Sequence, residues 1–142
     1  MFVISLYNLK GGVGKTSSCV NFAYMAAMDG YRTLLWDLDP QGAASFYYNA
    51  EPKAKGSIKK IMEHTLSLED AIMGTGYDNL DIIPADISGR KMDILLDEQK
   101  SSKKYLKNLM KSIESEYDFV FIDCPPGFSM LADNIFNVSD VI

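Results

Sequence analysis

The chain contains few of the residues from which disulfide scaffolds and metal clusters are built. It has two cysteines, one histidine and one tryptophan among 142 residues. Cys19 and Cys124 lie far apart and match neither a disulfide framework nor the paired spacing of a zinc site. We therefore predict that both are buried thiols in a reducing compartment.

Targeting and membrane segments are also missing from the sequence pattern. No apolar run approaches the roughly 18 residues that a membrane-spanning helix requires. The first apolar run, FVISLY, is soon followed by a lysine and glycines, without the basic segment and small-residue cleavage site of a signal peptide. These absences predict a cytoplasmic protein without stable membrane insertion.

Positive charge is in the minority but is unevenly distributed. The net charge of −5 argues against a generally basic nucleic-acid-binding protein. Eleven of the fourteen lysines and arginines nevertheless lie within residues 53–111. Lys100, Lys104, Lys107 and Lys111 recur at helical spacing. This row has two interpretations, a contribution to a DNA-binding surface or an ordinary solvated helix face, and the second is the commoner arrangement.

Strand and helix patterns alternate along the chain. Short apolar, β-branched runs predict strands at residues 2–7, 33–37, 80–84 and 119–123. Helices are predicted at residues 16–28, 89–99 and 101–116, with two shorter helices that have Ser57 and Ser67 as N-caps. Such alternation predicts right-handed βαβ units and an α/β fold, a mainly parallel sheet with helices on both faces.

We treat residues 1–142 as a single domain. In its first helix, Val20, Ala23, Tyr24 and Ala27 fall on one face, and we expect that face to be buried. Residues 137–142 resemble the end of a helix followed by the first step of another strand. Since a domain rarely ends on the inward step of a core strand, we expect this domain to continue beyond residue 142.

A glycine-rich loop follows the first predicted strand and precedes the first predicted helix. It ends in Gly14-Lys15-Thr16, the end of the phosphate-binding pattern G-x-x-x-x-G-K-[ST], but Leu9 occupies the place of the first glycine. Backbone N–H groups of such a loop converge on phosphate oxygens, the lysine reaches the β- and γ-phosphates, and the threonine hydroxyl can ligate Mg²⁺. The predicted phosphate-binding residues are Gly11, Gly12, Val13, Gly14, Lys15, Thr16 and Ser17.

Three aspartates are predicted at the ends of strands. Asp37 and Asp39 follow one strand, and Asp123 ends another. Ligands bind at the carboxyl edge of open α/β sheets, so these carboxylates are candidates for a Mg²⁺–phosphate centre. Asp123 follows an unbroken apolar run and is expected to hold Mg²⁺ through a water molecule. Only one of Asp37 and Asp39 is needed for chemistry.

Three motifs in this order resemble those of the ParA/MinD group of P-loop ATPases. They are KGGVGKT at residues 10–16, LLWDLDPQG at 34–42 and FVFIDCPPG at 119–127. The resemblance implies an ATPase that uses ATP and Mg²⁺, in which Asp39 positions or activates the attacking water. It implies that Asp37 acts nearer the metal, together with Thr16 and Asp123.

The same resemblance implies a role for the additional lysine. In this group Lys10 would cross an ATP-sandwiched homodimer interface and contact the phosphates of the other subunit. Positive charge supplied in this way is worth about 10³–10⁵ in phosphoryl-transfer rate. The alternative is that Lys10 serves the nucleotide of its own subunit or simply offsets phosphate charge.

Two short segments resemble the ParA/Soj partition branch more than the MinD branch. These are Pro40-Gln41-Gly42 and Cys124-Pro125-Pro126, although residues 43–45 lack the asparagine that is common there. The resemblance implies slow hydrolysis, dimerisation on ATP, non-specific DNA binding and a ParB-like stimulating protein, in plasmid or chromosome partitioning. The alternatives are a MinD-like membrane-associated positioning ATPase and a non-hydrolysing, nucleotide-switched binding module.

Overall fold

The computed structural model describes residues 1–53, 57–98 and 102–142. Its five-stranded sheet has the order β1-β5-β2-β4-β3. The strands are β1 (Phe2–Leu6), β2 (Thr33–Asp37), β3 (Met73–Gly74), β4 (Leu80–Ile83) and β5 (Phe119–Asp123). All neighbouring pairs are parallel except β3 with β4. The predicted α/β fold with a mainly parallel sheet is confirmed. The edge strand β3 was not predicted, because two residues are too few to show a periodic pattern.

Seven α-helices surround the sheet in the described part of the chain. They are α1 (Lys15–Met28), α2 (Ala43–Tyr47), α3 (Ser57–Met62), α4 (Leu68–Ala71), α5 (Met92–Asp97), α6 (Tyr105–Leu109) and α7 (Met130–Val138), with 3₁₀ turns at Ile87–Lys91, Ser102–Lys104 and Met110–Ile113. Ser67 caps α4 as predicted and accepts a hydrogen bond from the Asp70 amide. Ser57 is instead the first helical residue of α3. No helix within the described ranges has the length and apolar character needed to cross a bilayer.

The long helix predicted at residues 101–116 is interrupted. Its described part consists of α6 between two 3₁₀ turns. The amide of Leu106 donates to Asn134 Oδ1 at 3.2 Å, so a side chain of α7 takes an N–H that a continuous helix would pair with its own backbone. Lys104 and Lys107 are exposed there, whereas Lys100 lies outside the described residues.

The core consists of two apolar layers, one on each face of the sheet. Successive strand residues alternate between the layers, as pleating requires. In β2, for example, Leu34 and Trp36 pack on one face and Leu35 on the other. Helices α3 to α7 cover the first face, and α1 and α2 cover the second. Helices on both faces were predicted, and the layers confirm them.

Small side chains bring α1 close to the sheet. Its buried residues are Cys19, Ala23 and Ala27, one helical turn apart from each other. The expectation that Tyr24 belongs to this face is wrong, since Tyr24 is 39% exposed and packs edge-to-face against Tyr77. Cys19, Ala23 and Ala27 are the buried residues of the helix and pack against the sheet in one cluster. The predicted burial of both cysteines is confirmed.

The backbone after α7 returns to the sheet. Val141 forms an isolated parallel bridge with Ile4, on the side of β1 that β5 does not occupy. The amide of Ser5 donates to the Val141 carbonyl at 2.9 Å. The first step of a further strand, predicted near residue 142, is therefore present as a backbone bridge.

Candidate nucleotide-binding site

The carboxyl ends of β1, β2 and β5 meet at one edge of the sheet. Asp123, the last residue of β5, is in register with Leu6 on one side and Asp37 on the other. The glycine-rich loop leaves this edge after β1 and leads into α1. A cleft of about 480 Å³ opens here. It is lined by Gly11, Gly12, Gly14, Lys15, Thr16, Ser17, Asp39, Gln41 and Pro126.

The glycines give the loop an open concave side. Gly12 and Gly14 adopt φ angles of +71° and +92°, which L side chains rarely adopt. A Cβ placed on Gly11, Gly12 or Gly14 would have no other atom within 4 Å. Gly14 caps α1 without a side-chain acceptor, so first-turn amides of this 14-residue helix remain available at the cleft. Open space and unpaired N–H groups together suit phosphate oxygens.

The two lysines of the loop are placed differently. The Lys15 ammonium donates to the Lys10 carbonyl at 3.4 Å and lies across the mouth of the loop. The Lys10 amide donates to Asn8 Oδ1 at 2.9 Å, so the backbone of Lys10 is fixed from both sides. The Lys10 side chain is exposed and has no hydrogen bond or ion pair with any described residue. Lys15 is thus directed into its own cleft and Lys10 toward the exterior.

Thr16 and Asp123 form the centre of the site. The Thr16 hydroxyl donates to Asp123 Oδ2 at 2.7 Å. Asp123 is fully buried, and its Oδ1 has no hydrogen-bond partner among the described residues. Burial raises the pKa of Asp123 to about 6, with the Thr16 hydrogen bond and the Lys15 charge opposing the shift and the Asp37 and Asp39 charges adding to it. An orphaned carboxylate oxygen beside a hydroxyl fits a hard cation such as Mg²⁺.

The Asp37 carboxylate accepts hydrogen bonds from the segment that follows it. Its Oδ2 accepts hydrogen bonds from the Ser45 amide at 2.8 Å and the Ser45 hydroxyl at 2.7 Å. Its Oδ1 accepts from the Asp39 amide at 3.2 Å. Burial raises the pKa of Asp37, and the bonds from Ser45 and Asp39 oppose that shift. The role of Asp37 near a metal stays a prediction.

Asp39 is held in a turn at the edge of the cleft. Its Oδ1 accepts from the Gln41 amide at 2.9 Å, and its carbonyl accepts from the Gly42 amide at 2.9 Å. The residue is partly exposed and lines the cleft, where a catalytic carboxylate would meet a water molecule. One of its oxygens remains without a protein hydrogen bond in the described part of the chain.

The described residues contain no group of three or more His, Cys, Asp or Glu arranged to hold a metal ion. Mg²⁺ does not need such a group, since it keeps several waters and takes one or two protein ligands together with phosphate oxygens. Thr16 and Asp123 are the residues that fit this description.

Two contacts at the site were not predicted from the sequence. Ser45 bonds to Asp37 across eight residues, and the Tyr7 hydroxyl donates to the Gly127 carbonyl at 3.0 Å. The second contact ties the end of β1 to the loop after β5. Neither pair has a short, regular spacing, so the sequence pattern carries no signal for them.

The profile of the AAA domain family matches residues 1–142. The chain belongs to the AAA domain family. Within it, the predicted resemblance to ParA/Soj-type partition ATPases is confirmed by similar proteins. The chain is 36% identical over 141 residues to the sporulation initiation inhibitor protein Soj of Bacillus subtilis. It is 38% identical over 130 residues to the chromosome-partitioning ATPase Soj of Treponema pallidum.

These matches cover most of this AAA domain chain but only part of each relative. The alignments include 99% and 89% of this chain, and 56% and 49% of the two Soj proteins. The chain therefore spans about half the length of the curated relatives it matches. Among solved structures, cobyrinic acid a,c-diamide synthase from Mycobacterium smegmatis, with bound ATP analog and magnesium, superposes with a TM-score of 0.91. That match has 28% identity and covers 99% of this chain and 58% of the synthase.

Proposed function

We propose that this protein binds Mg-ATP and hydrolyses it slowly, as a ParA-like partition ATPase. The observation that carries the proposal is the pairing of Thr16 with Asp123 beside the open glycine loop. A hydroxyl beside a carboxylate oxygen that has no partner among the described residues supports binding of Mg²⁺ and phosphate oxygens at this loop. The synthase that superposes on this chain, with its bound ATP analog and magnesium, supports the same ligand.

Each site residue has a proposed part in the reaction. Lys15 and the loop amides from Gly11 to Ser17, including that of Val13, hold the phosphates. Thr16 and Asp123 hold the metal, which would neutralise charge that develops on the phosphoryl group. Asp39 orients the attacking water, and Asp37 fixes the segment that carries Asp39.

We propose that Lys10 acts in the nucleotide site of a second subunit. Its backbone is fixed by Asn8 and Lys15 while its side chain extends outward. An exposed ammonium on this loop, without a hydrogen bond or ion pair to any described residue, suits contact with the phosphates of a second subunit. We therefore propose an ATP-dependent homodimer in which each subunit completes the other's site.

The cellular role is proposed from the named relatives. Both Soj proteins carry names of sporulation control or chromosome partitioning, which supports a role in plasmid or chromosome partitioning. Non-specific DNA and a ParB-like stimulating protein are the proposed partners. The cobyrinic acid a,c-diamide synthase shares the fold, so the fold alone does not distinguish a partition ATPase from an enzyme of another function.

The test is ATP turnover by the intact protein with Mg²⁺, alone, with duplex DNA and with anionic liposomes. We expect slow basal turnover that DNA increases and that EDTA abolishes. Asp39→Ala should bind ATP with wild-type affinity but retain only residual turnover, about 10²- to 10⁴-fold below that of the wild type. Asp78→Ala is the matched control, since Asp78 is exposed in the turn before β4, at the opposite end of that strand from the cleft.

Other results of the turnover assay would favour one of the two alternative functions or contradict the role of Asp39. Turnover that liposomes increase and DNA does not would favour a MinD-like positioning ATPase. Tight ATP binding without turnover under any condition would identify a nucleotide-switched binding module. Wild-type turnover in Asp39→Ala would refute the proposed role of that carboxylate.

A further inference from the structure

The segment that carries Asp39 is anchored at three places. Beneath it, Asp37 Oδ1 accepts the Asp39 amide. Beside it, the segment after β4 approaches closely, since a Cβ on Gly42 would lie 3.6 Å from the Ala85 Cβ and one on Gly89 would lie 3.6 Å from the Pro40 Cγ. At its far end, Ser45 in α2 returns to Asp37.

The Ser45 hydroxyl joins two of these anchors. It donates to Asp37 Oδ2 at 2.7 Å and accepts from the Ala85 amide at 2.8 Å. Ser45 is 5% exposed and Asp37 1% exposed, so water cannot readily replace either bond. A hydroxyl supplies one donor and accepts through its lone pairs, and alanine supplies neither. The backbone amides of Ser45 and Asp39 complete the set of bonds around the carboxylate.

The position of Asp39 consequently depends on a residue that lies outside the cleft lining. Asp37 can hold the Asp39 amide only while its own carboxylate is oriented, and its two other bonds come from Ser45, one from the backbone amide and one from the hydroxyl. Of these two, only the hydroxyl bond depends on the side chain, and the same hydroxyl also ties the segment to the Ala85 amide. We propose that Ser45 is a positioning residue for the proposed hydrolysis, acting through Asp37 on Asp39. This inference rests on the proposed function, because it requires that Asp39 act on ATP.

The test compares Ser45→Ala with the wild type in steady-state ATP turnover by the intact protein. We expect kcat to fall about 10- to 100-fold, as for a displacement on the order of 1 Å at a catalytic group. The KM for ATP should stay within about twofold, because the phosphate loop does not depend on Ser45. Ser45→Thr retains the hydroxyl and should restore kcat to within about threefold of the wild type.

The control variant is Ser67→Ala. It removes a hydroxyl that also holds a backbone amide, but at the N-terminus of α4 and away from the cleft. Its kcat should equal that of the wild type. If Ser45→Ala melts below the assay temperature, Ser45→Cys, which keeps a weak donor, takes its place and should show a smaller loss.

A double-mutant cycle separates positioning from a general loss of structure. In an Asp39→Ala background, Ser45→Ala should cause no further fall in kcat, because the carboxylate that it positions is already gone. Additive losses, an unchanged kcat in Ser45→Ala, or no restoration by threonine would each overturn the inference while leaving the ATPase function standing. A wild type without turnover would overturn the proposed function and this inference with it.

Discussion

The Thr16 hydroxyl donates a 2.7 Å hydrogen bond to Asp123 Oδ2, joining the first turn of α1 to the last residue of β5. The two residues are 107 positions apart in the sequence. Their contact lies at the base of the glycine-rich loop and leaves Asp123 Oδ1 without a partner among the described residues.

Thr16→Ala should weaken the metal site and the fold together. Loss of the hydroxyl removes one proposed metal ligand and leaves both oxygens of the buried Asp123 carboxylate without a partner among the described residues. We expect the Mg²⁺ concentration for half-maximal ATP turnover to rise about tenfold or more. The free energy of unfolding without metal should fall by about 1–3 kcal/mol in a denaturant titration.

Thr16→Ser and Thr65→Ala are the controls for that variant. Serine keeps the hydroxyl at the site, and Thr65 donates its hydroxyl to the Lys60 carbonyl, remote from the cleft. Both should retain the wild-type Mg²⁺ requirement. An unchanged requirement in Thr16→Ala would contradict the metal role of the threonine.

Asp123 should make the metal-free protein less stable as pH rises. Its pKa is raised from 3.8 to about 6 by burial, so between these values the folded state binds more protons than the unfolded state. Its favourable contribution is therefore present below about pH 4 and is lost as pH rises through 6. The difference amounts to about 3 kcal/mol.

The measurement is urea unfolding from pH 4 to pH 7 with EDTA, for the wild type and Asp123→Asn. The amide does not titrate, so the wild type should lose stability relative to the variant across this range. Groups remote from Asp123 contribute equally to both proteins, whereas the charges of Asp37 and Asp39 act on Asp123 and form part of the difference. Parallel curves would show that the Asp123 carboxylate is not perturbed in the folded state.

Gly14→Ala should destabilise the loop through its backbone alone. An added Cβ meets no atom within 4 Å, but φ is +92°. We expect a loss of about 1–2 kcal/mol in unfolding free energy and weaker ATP binding. Gly11→Ala is the matched substitution, since Gly11 has the same open surroundings without a left-handed φ. Its stability should change by less than about 1 kcal/mol. Equal losses in the two variants would point to a cause other than φ.

Lys10→Ala and Lys15→Ala should fail in different ways. Lys15→Ala should lose ATP affinity, because its ammonium lies at the mouth of its own loop. Lys10→Ala should still bind ATP but should remain monomeric and hydrolyse it about 10³-fold or more slowly. Equilibrium binding of labelled ATP and sedimentation in the presence of a non-hydrolysable analogue measure the two properties. A Lys10→Ala dimer with normal turnover would support the alternative that Lys10 offsets charge in its own subunit.

Local patterns were sufficient for the main elements. Unbroken apolar runs are typical of strands buried on both faces, and β2 and β5 have the predicted bounds, Thr33–Asp37 and Phe119–Asp123. Helix α1 begins one residue before the predicted start and ends before Asp29-Gly30 as expected. Tyr24 was assigned to the buried face of α1 because helical periodicity shows which residues share a face. It does not show which residues of that face contact the sheet. The break near Leu106 was missed because its cause, Asn134, belongs to another helix.

The sequence by itself determined the phosphate loop, the order of its three motifs and the α/β fold class, because glycine spacing and strand patterns are local properties. Tertiary structure alone decided which carboxylate oxygens have hydrogen-bond partners. Parallel pairing brings Asp37 and Asp123 into register. Because both carboxylates are buried, each oxygen depends on a protein partner or a bound ligand in place of water. Asp123 retains an unpaired oxygen beside Thr16, whereas Asp37 is occupied by Ser45 and Asp39. Thr16 reaches Asp123 from 107 positions away, and Ser45 reaches Asp37 only because the chain turns into α2, so no regular spacing along the chain records either contact.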